Sequence, residues 1–507
     1  MKRFACFLAC FVPVLCFAEL AGKRPNILFI LTDDQGYGDL SVHGNPVLKT
    51  PNIDKLHGES LRFTNWHNSP TCAPTRSALM TGRHEFRNGI THTILERERL
   101  TLQATTVAQA LKGAGYRTGI FGKWHLGDEA EYRPDKRGFD EVFIHGGGGI
   151  GQSYPGSCGD APDNKYFNPA ILHNNRFEKT KGYCTDVFFS QATKWIEAQK
   201  KGDPFLCWIA TNAPHGPYIA RPEDRALYEG KGLGADAENF FGMLHNIDQN
   251  VGTLMAKLQT LGIANDTLVI YMNDNGGTAG VKTFNANMHG AKGSPWIGGV
   301  RGISFWRWPG TLAPGDCQAL TAHIDFFKTA SALAGAKLST ELDEQAAEGR
   351  SLLPLLENPK AMWEDRFLFA HVGRWPKGTN PDMGKLKNCS VRNTRFTLVS
   401  EASRGPKAKN GPQWQLFDVV ADPAQEKNIA AENPEIVKQL RAVYDQWWDS
   451  LRGQYDVNER AMGPKLNPFA EIYWKQFGGG PTAADYERMD PAKALSFEGA
   501  RLGKAKK

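Results

Sequence analysis

The sequence predicts an α/β protein with a large, mostly parallel central sheet flanked by helices, followed by a smaller antiparallel sheet crossed by one helix. Three observations carry this. Short apolar runs, NILFILT (26–32), PFLCWIAT (204–211) and TLVIYMND (267–274), have the length and texture of strands buried on both faces. Stretches with apolar residues at helical spacing separate them. After GRSLLPLLENP (349–359) the pattern shifts to short strand-like pieces and one closing amphipathic stretch.

In chain order, NILFILT is the first buried strand. TTVAQALKGAGY (105–116) reads as a helix closing at glycine, and RTGIFGKW (117–124) as the strand after it. PFLCWIAT is the next strand. Residues 237–261 then carry a long apolar stripe at helical period, before the strand TLVIYMND. IDFFKTASALAG (324–335) is a further helix ending at glycine. FLFAHV, FTLVSE and WQLFDV supply the small sheet, and PEIVKQLRAVYDQWWDSL (434–451) the helix across it. The resulting division is a leader at 1–18, a main α/β domain at 19–358 and an α+β subdomain at 359–462. A wrapping tail with a frayed end is expected at 463–507.

A chain of 507 residues can bury a large core. Its 41% hydrophobic and 22% charged residues are those of an ordinary globular protein. The net charge of +6 is mild, and apart from the terminal GKAKK no basic block points to a nucleic-acid partner. MKRFACFLACFVPVLCFAEL has two basic residues, an apolar run to Phe17 and Ala18 at a cleavage site, the layout of a secretory signal peptide. No other apolar stretch approaches the roughly 20 residues of a membrane span. The mature protein is therefore expected in the periplasm or secreted. Three of nine cysteines leave with the leader. The other six show no zinc spacing, and in an oxidising compartment Cys158 and Cys184 are the candidate disulfide.

Reactive residue types gather just after the strands. Asp33 and Asp34 follow the first, Lys123 and His125 the second, His215 the third, and Asp274 and Asn275 the fourth. In a parallel sheet these positions share the carboxyl edge, where such folds place their sites. The acids and the amide offer hard oxygen ligands suited to Ca²⁺, or alternatively Mg²⁺. The plainer reading is that turns collect Asp and Asn. Two adjacent acids after a buried strand nonetheless need compensating charge, and a cation is the simplest source. Lys123 and His125 point to one side of an extended segment. With Arg76 they would line a pocket for a small tetrahedral anion, and Lys292 is a further candidate base. Each of these bases alone also reads as a surface residue. Cys72 heads a helix-compatible segment with Pro74 in its first turn, a position whose field favours an anion. It is either a nucleophile served by a base such as His215 or an inert buried thiol.

CAPTRSALMTGR (72–83) closely resembles the signature of the type I sulfatases, the arylsulfatase-like branch of the alkaline phosphatase superfamily. PNILFILTDDQGYGDL, TPNIDKL, GYRTGIFGKWHLG, NAPHGP, NDNGG, GGVRG and GRSLLPLL extend the likeness, as does QLFDVVADPAQEKNIA near the end. The resemblance implies an alkaline-phosphatase-like fold and hydrolysis of sulfate esters. It implies that Cys72 is oxidised to formylglycine by a formylglycine-generating enzyme and hydrated to a geminal diol. One diol oxygen would attack sulfur and expel the alcohol; the other would then lose its proton and expel sulfate. Asp33, Asp34, Asp274 and Asn275, with the modified Cys72, match the calcium ligands. Arg76 matches the residue that steadies the diol, Lys123 and Lys292 the sulfate clamps, His125 the base and His215 the general acid. Arg83 matches an anchor of the motif helix. HGGGGIGQSYPGSCGD (145–160) matches no assigned role; with MHGAKGSPWIGG (288–299) it is expected to shape the substrate pocket, where His289 either touches substrate or is a plain loop histidine.

Two other functions remain open at this point: a phosphomonoester or phosphodiester hydrolase of the same superfamily, and an inactive sulfated-glycan-binding protein. Two lysine clamps suit a monoanionic ester better than a dianionic one. A full set of ligands and catalytic candidates speaks against an inactive binder. The expected substrate is a sulfated sugar or an aryl sulfate, and 13 tryptophans are available to stack on sugar faces.

Overall fold

The computed structural model describes residues 20–154, 156–200, 202–338, 347–376, 379–401, 413–453, 466–483 and 486. The expected leader and frayed end lie outside these residues. Sixteen strands are labelled in chain order: β1 (Asn26–Thr32), β2 (Leu61–Phe63), β3 (Trp66–His67), β4 (Arg117–Lys123), β5 (Glu141–His145), β6 (Ala170–His173), β7 (Arg176–Lys179), β8 (Phe205–Ala210), β9 (Thr267–Asn273), β10 (Ser304–Arg307), β11 (Gly315–Cys317), β12 (Thr321–Ala322), β13 (Leu368–His371), β14 (Cys389–Arg392), β15 (Phe396–Glu401) and β16 (Gln413–Asp418). The main sheet has ten strands in the order β11-β2-β10-β9-β1-β8-β4-β5-β6-β7. Its centre, β9-β1-β8-β4-β5, is parallel throughout. Antiparallel pairings of β10 with β9 and of β6 with β5 begin the two flanks.

The central strands are apolar on both faces because both faces are covered. Ile27, Phe29 and Leu31 of β1 enter one hydrophobic cluster, and Leu28 and Ile30 enter the other. The longer helices of this region are α1 (Pro51–Gly58), α2 (Cys72–Thr81), α3 (Val107–Gly113), α4 (Cys184–Glu197), α5 (Ala235–Thr260) and α6 (Asp325–Ala334). Residues of α2, α3 and α6 pack in the first cluster, and residues of α1, α4 and α5 in the second. Helix α3 begins later than its apolar pattern suggests because Thr106 and Gln109 form a reciprocal capping box ahead of Val107.

The small sheet, β13-β14-β15-β16, is antiparallel, and α7 (Pro434–Ser450) covers it through Leu440, Tyr444, Trp447 and Trp448. The sequence reading missed β14 and the flank strands, which are short and carry little periodicity. Where only a tail was expected there is α8 (Pro468–Phe477), whose fully buried Phe469 and half-buried Tyr473 pack against Phe177 of β7. The disulfide expectation fails: all six described cysteines are free and buried. Cys158 turns its thiol to the carbonyl of Thr93 (3.5 Å), while Cys184 opens α4 in the apolar core on one face of the sheet.

Candidate functional site

Adjacent parallel strands set the site. Thr32 of β1 is paired with Asn273 of β9, so Asp33-Asp34 and Asp274-Asn275 leave the sheet side by side. Lys123 ends β4, and His215 lies in the loop after β8. Asp33, Asp34, Arg76, Lys123, His125, Asp274 and Asn275 are all buried. Asp34 (φ 67°) and His125 (φ 59°) take left-handed backbone conformations, uncommon outside glycine although Asp and His adopt them more readily than most residues. Such strained positions cluster where neighbouring structure over-determines the backbone, typically at functional sites.

The charges pair across strands. Lys123 Nζ donates to Asp33 Oδ2 at 2.6 Å, Arg76 Nη2 to Asp274 Oδ2 at 2.9 Å, and Lys292 pairs with Asp34 Oδ1. The Asn275 amide donates to Asp34 Oδ1 at 3.0 Å, and the Asp34 N–H to Asp274 Oδ1 at 3.1 Å. Burial pushes Asp33 well above the usual carboxylate range even though Lys123 pulls it down. Burial acts the same way on Asp34, but Lys292, His215 and the Asn275 amide outweigh it and hold Asp34 low. For Arg76 and Lys292, burial is overcome by nearby negative groups, and both hold their protons more tightly than usual.

Cys72 is the first residue of α2, and all ten residues of that helix are buried. The Thr75 hydroxyl binds both backbone groups of Ser69 (3.0 and 3.2 Å), clamping the approach to the helix. At the far end Gly82 takes φ 67° and donates to the Ala78 carbonyl at 2.8 Å. A Cβ there would stand 3.0 Å from Phe327 Cβ, so glycine is required for both backbone and space. The Asn88 amide then binds Thr81 Oγ1 (2.9 Å) and the carbonyl of Arg83 (3.4 Å).

The two histidines are held differently. His125 Nε2 donates to the Thr93 carbonyl at 2.7 Å, which leaves its buried Nδ1 as an acceptor without a hydrogen-bond partner. Burial, reinforced by Lys123, keeps this ring neutral. His215 Nδ1 donates to the Gly216 carbonyl at 2.7 Å and turns Nε2 toward Asp34 Oδ2 at 3.8 Å. Burial first, then Lys292 and Lys123, lower its pKa to about 3 against the pull of Asp34. Its side chain is 15% exposed, so the site opens to solvent on this side.

The donor set fits a hard divalent cation. Ligand atoms of Asp33, Asp34 and His215 lie within 4.8 Å of one another. Asp33 Oδ1 and Asn275 Oδ1 are buried with no hydrogen-bond partner, a deficit that a cation would satisfy. A cavity of about 460 Å³ lined by Asn26, Phe205 and Asp266 lies at the opposite, amino edge of the sheet and contains none of these residues.

His289 stands apart from this network. It is exposed, lies flat on Trp296 (3.9 Å between ring centres, 1° between planes) and bonds to the Gln425 carbonyl at 3.3 Å. Sequence reasoning missed His145. It is paired with Lys123 in the sheet, fully buried, and has no hydrogen-bond partner on either nitrogen. Its place at the end of a short strand was the only available signal. The role of the glycine run after it was also missed: Gly148 and Gly149 pass directly over His125 and His215.

The sulfatase family model matches residues 25–336. Human N-acetylgalactosamine-6-sulfatase is 32% identical over 70% of this chain and 70% of its own length. Human arylsulfatase A is 30% identical over 84% of this chain and 88% of its own. Among solved structures, Ps i-CgsB in complex with k-i-k-neocarrahexaose is similar with a TM-score of 0.73 and 25% identity, covering 94% of this chain and 99% of that one. A likeness of this extent in both sequence and fold makes the chain a member of the sulfatase family, an enzyme that hydrolyses sulfate esters.

Proposed function

We propose that this sulfatase cleaves a sulfate ester on a carbohydrate, using formylglycine made from Cys72 and a calcium ion held by Asp33, Asp34, Asp274 and Asn275. The observation that carries the reading is Cys72 at the head of a fully buried helix whose Arg76 is anchored on Asp274, one of the oxygen ligands gathered at the strand ends. When present, the hydrated aldehyde supplies an oxygen nucleophile and the ion supplies the charge that activates it. The other roles belong to the chain's own residues. Arg76, anchored on Asp274, steadies the side chain at position 72. Lys123 and Lys292 bring two positive charges to where the sulfate oxygens become more negative. His125 Nδ1, kept an acceptor by the bond to Thr93, takes the proton from residue 72. His215 rests neutral with its proton on Nδ1, so to serve the leaving alcohol from the open side it has to gain a second proton at Nε2, which the negative charge of a bound sulfate favours.

A carbohydrate substrate is supported by the name of the human N-acetylgalactosamine-6-sulfatase and by the oligosaccharide in the complex of Ps i-CgsB. The leader points to export, to the periplasm or beyond, and among the described residues no helix is long and apolar enough to cross a membrane. Because Cys72 is only 3% exposed, the formylglycine-generating enzyme has to act before this segment folds. Mass spectrometry of the tryptic peptide 63–76 from native protein tests the reading. Conversion makes the peptide lighter by about the mass of one water molecule and reactive toward carbonyl reagents. A peptide that alkylates completely as a thiol, in a preparation that still hydrolyses sulfate esters, overturns it.

A further inference from the structure

The loop after β5 is pinned at Gly151 and between Gly159 and Asn164. Asp160 accepts from the N–H groups of Gly151 (2.9 Å) and Ala161 (2.8 Å) and from the Asn164 amide (3.0 Å). Asp128 accepts from the N–H of Gly159 and from the Asn467 amide, both at 2.6 Å. A held backbone of this kind can present a side chain in one orientation.

The side chain it presents is Gln152. A methyl carbon added at Gly148 would stand 3.1 Å from His125 Cε1 and 3.2 Å from Gln152 Oε1. One added at Gly149 would stand 2.8 Å from His215 Nδ1 and 3.0 Å from the Gln152 carboxamide carbon. The carboxamide therefore lies across the glycine run beside both imidazoles, on the solvent-open side marked by His215. Gln152 is half-buried, and among the described residues its carboxamide has no hydrogen-bond partner. Asn467 in the same neighbourhood uses both ends of its amide within the fold. Glycine at 148 and 149 leaves the backbone close to the histidines and puts no side chain between them and Gln152.

We propose that Gln152 is a specificity-determining residue that binds a free hydroxyl of the sugar next to the scissile sulfate ester. This rests on the carbohydrate reading of the site. A carboxamide presents a donor and an acceptor side by side, and a hydroxyl can satisfy both. A second sulfate only accepts and would satisfy half of that group. The preferred unit is thus a sugar bearing the ester beside an unsulfated hydroxyl.

The experiment compares kcat/KM of the parent and Gln152→Ala on N-acetylgalactosamine 6-sulfate, other sulfated monosaccharides and 4-nitrophenyl sulfate, which has no hydroxyl. Loss of one well-made hydrogen bond lowers kcat/KM on the best sugar by about tenfold. The loss on 4-nitrophenyl sulfate is several-fold smaller, with melting temperature unchanged. Equal losses on both substrates, or no loss on the sugar, overturn the proposal while leaving the carbohydrate reading intact. A parent enzyme active on 4-nitrophenyl sulfate and on no sulfated sugar overturns both. Gly149→Ala is the companion variant: crowding His215, it lowers turnover of every substrate alike.

Discussion

Lys123 and Asp33 form an ion pair with no exposed side-chain surface on either partner. Removing Lys123 leaves the buried Asp33 carboxyl without its hydrogen-bond partner, at a cost of about 1–3 kcal/mol. Lys123→Ala is therefore expected to melt well below the parent in calcium-free buffer. Added Ca²⁺ should recover more stability in the variant than in the parent, because a cation among the acids supplies the missing charge. Calorimetry with and without Ca²⁺ measures this, and equal shifts in the two proteins would count against a cation at Asp33. In the proposed role of Lys123, the variant at saturating Ca²⁺ still lacks a donor for the sulfate oxygens. Its kcat on 4-nitrophenyl sulfate should fall by about 10²–10³-fold.

Among the elements, α8 does more than close the chain. Asn467 accepts from the N–H groups of Phe469 and Ala470 (2.9 and 3.3 Å), capping the helix, and donates to Asp128, which also holds Gly159. One side chain thus joins a C-terminal helix to the loop over His125 and His215. Asn467→Ala removes the cap and a donor from a buried carboxylate, a loss of about 1–3 kcal/mol. Hydrogen exchange in residues 146–164 should quicken along with this loss. Exchange confined to α8 itself would show that the loop is held without it.

Across the whole molecule, a buried polar chain lies beneath the motif helix where the two sheets meet. Ser69 donates to Glu85 at 2.8 Å and also bonds to His323 (2.9 Å), while Arg366 grips Asp325 with contacts of 2.7 and 2.9 Å. Burial pushes Glu85 up to about 8, and Glu98 and Asp39 each to about 7, against the hydrogen bonds that lower them. Each folded-state value lies above the unfolded one, so the fold binds the proton more tightly. Their stabilisation is complete below the ordinary carboxylate range, near 4.5 or lower. It is lost as pH rises through about 7 to 8. The melting temperature should decline from pH 6 to pH 9, and Glu85→Gln should flatten that decline. An unchanged slope in the variant would place the pH dependence elsewhere.

The sequence alone determined the fold class and the edge at which chemistry gathers. Runs such as NILFILT are legible because strands buried on both faces leave unbroken apolar segments. The residues following them must emerge together wherever such strands run parallel. Asp33, Lys123, His215 and Asp274 could thus be brought together from text, and CAPTR added Cys72 and Arg76. Tertiary structure decided what depends on distances between remote segments: that Cys158 and Cys184 stay free, that His289 stacks on Trp296, and that α8 reaches back to the loop after β5. A run of glycines has no side chains to imply a partner, so its position over His125 and His215 appears only once the chain is folded. Local patterns record which face is buried, while the identity of the neighbour is set by packing between segments hundreds of residues apart.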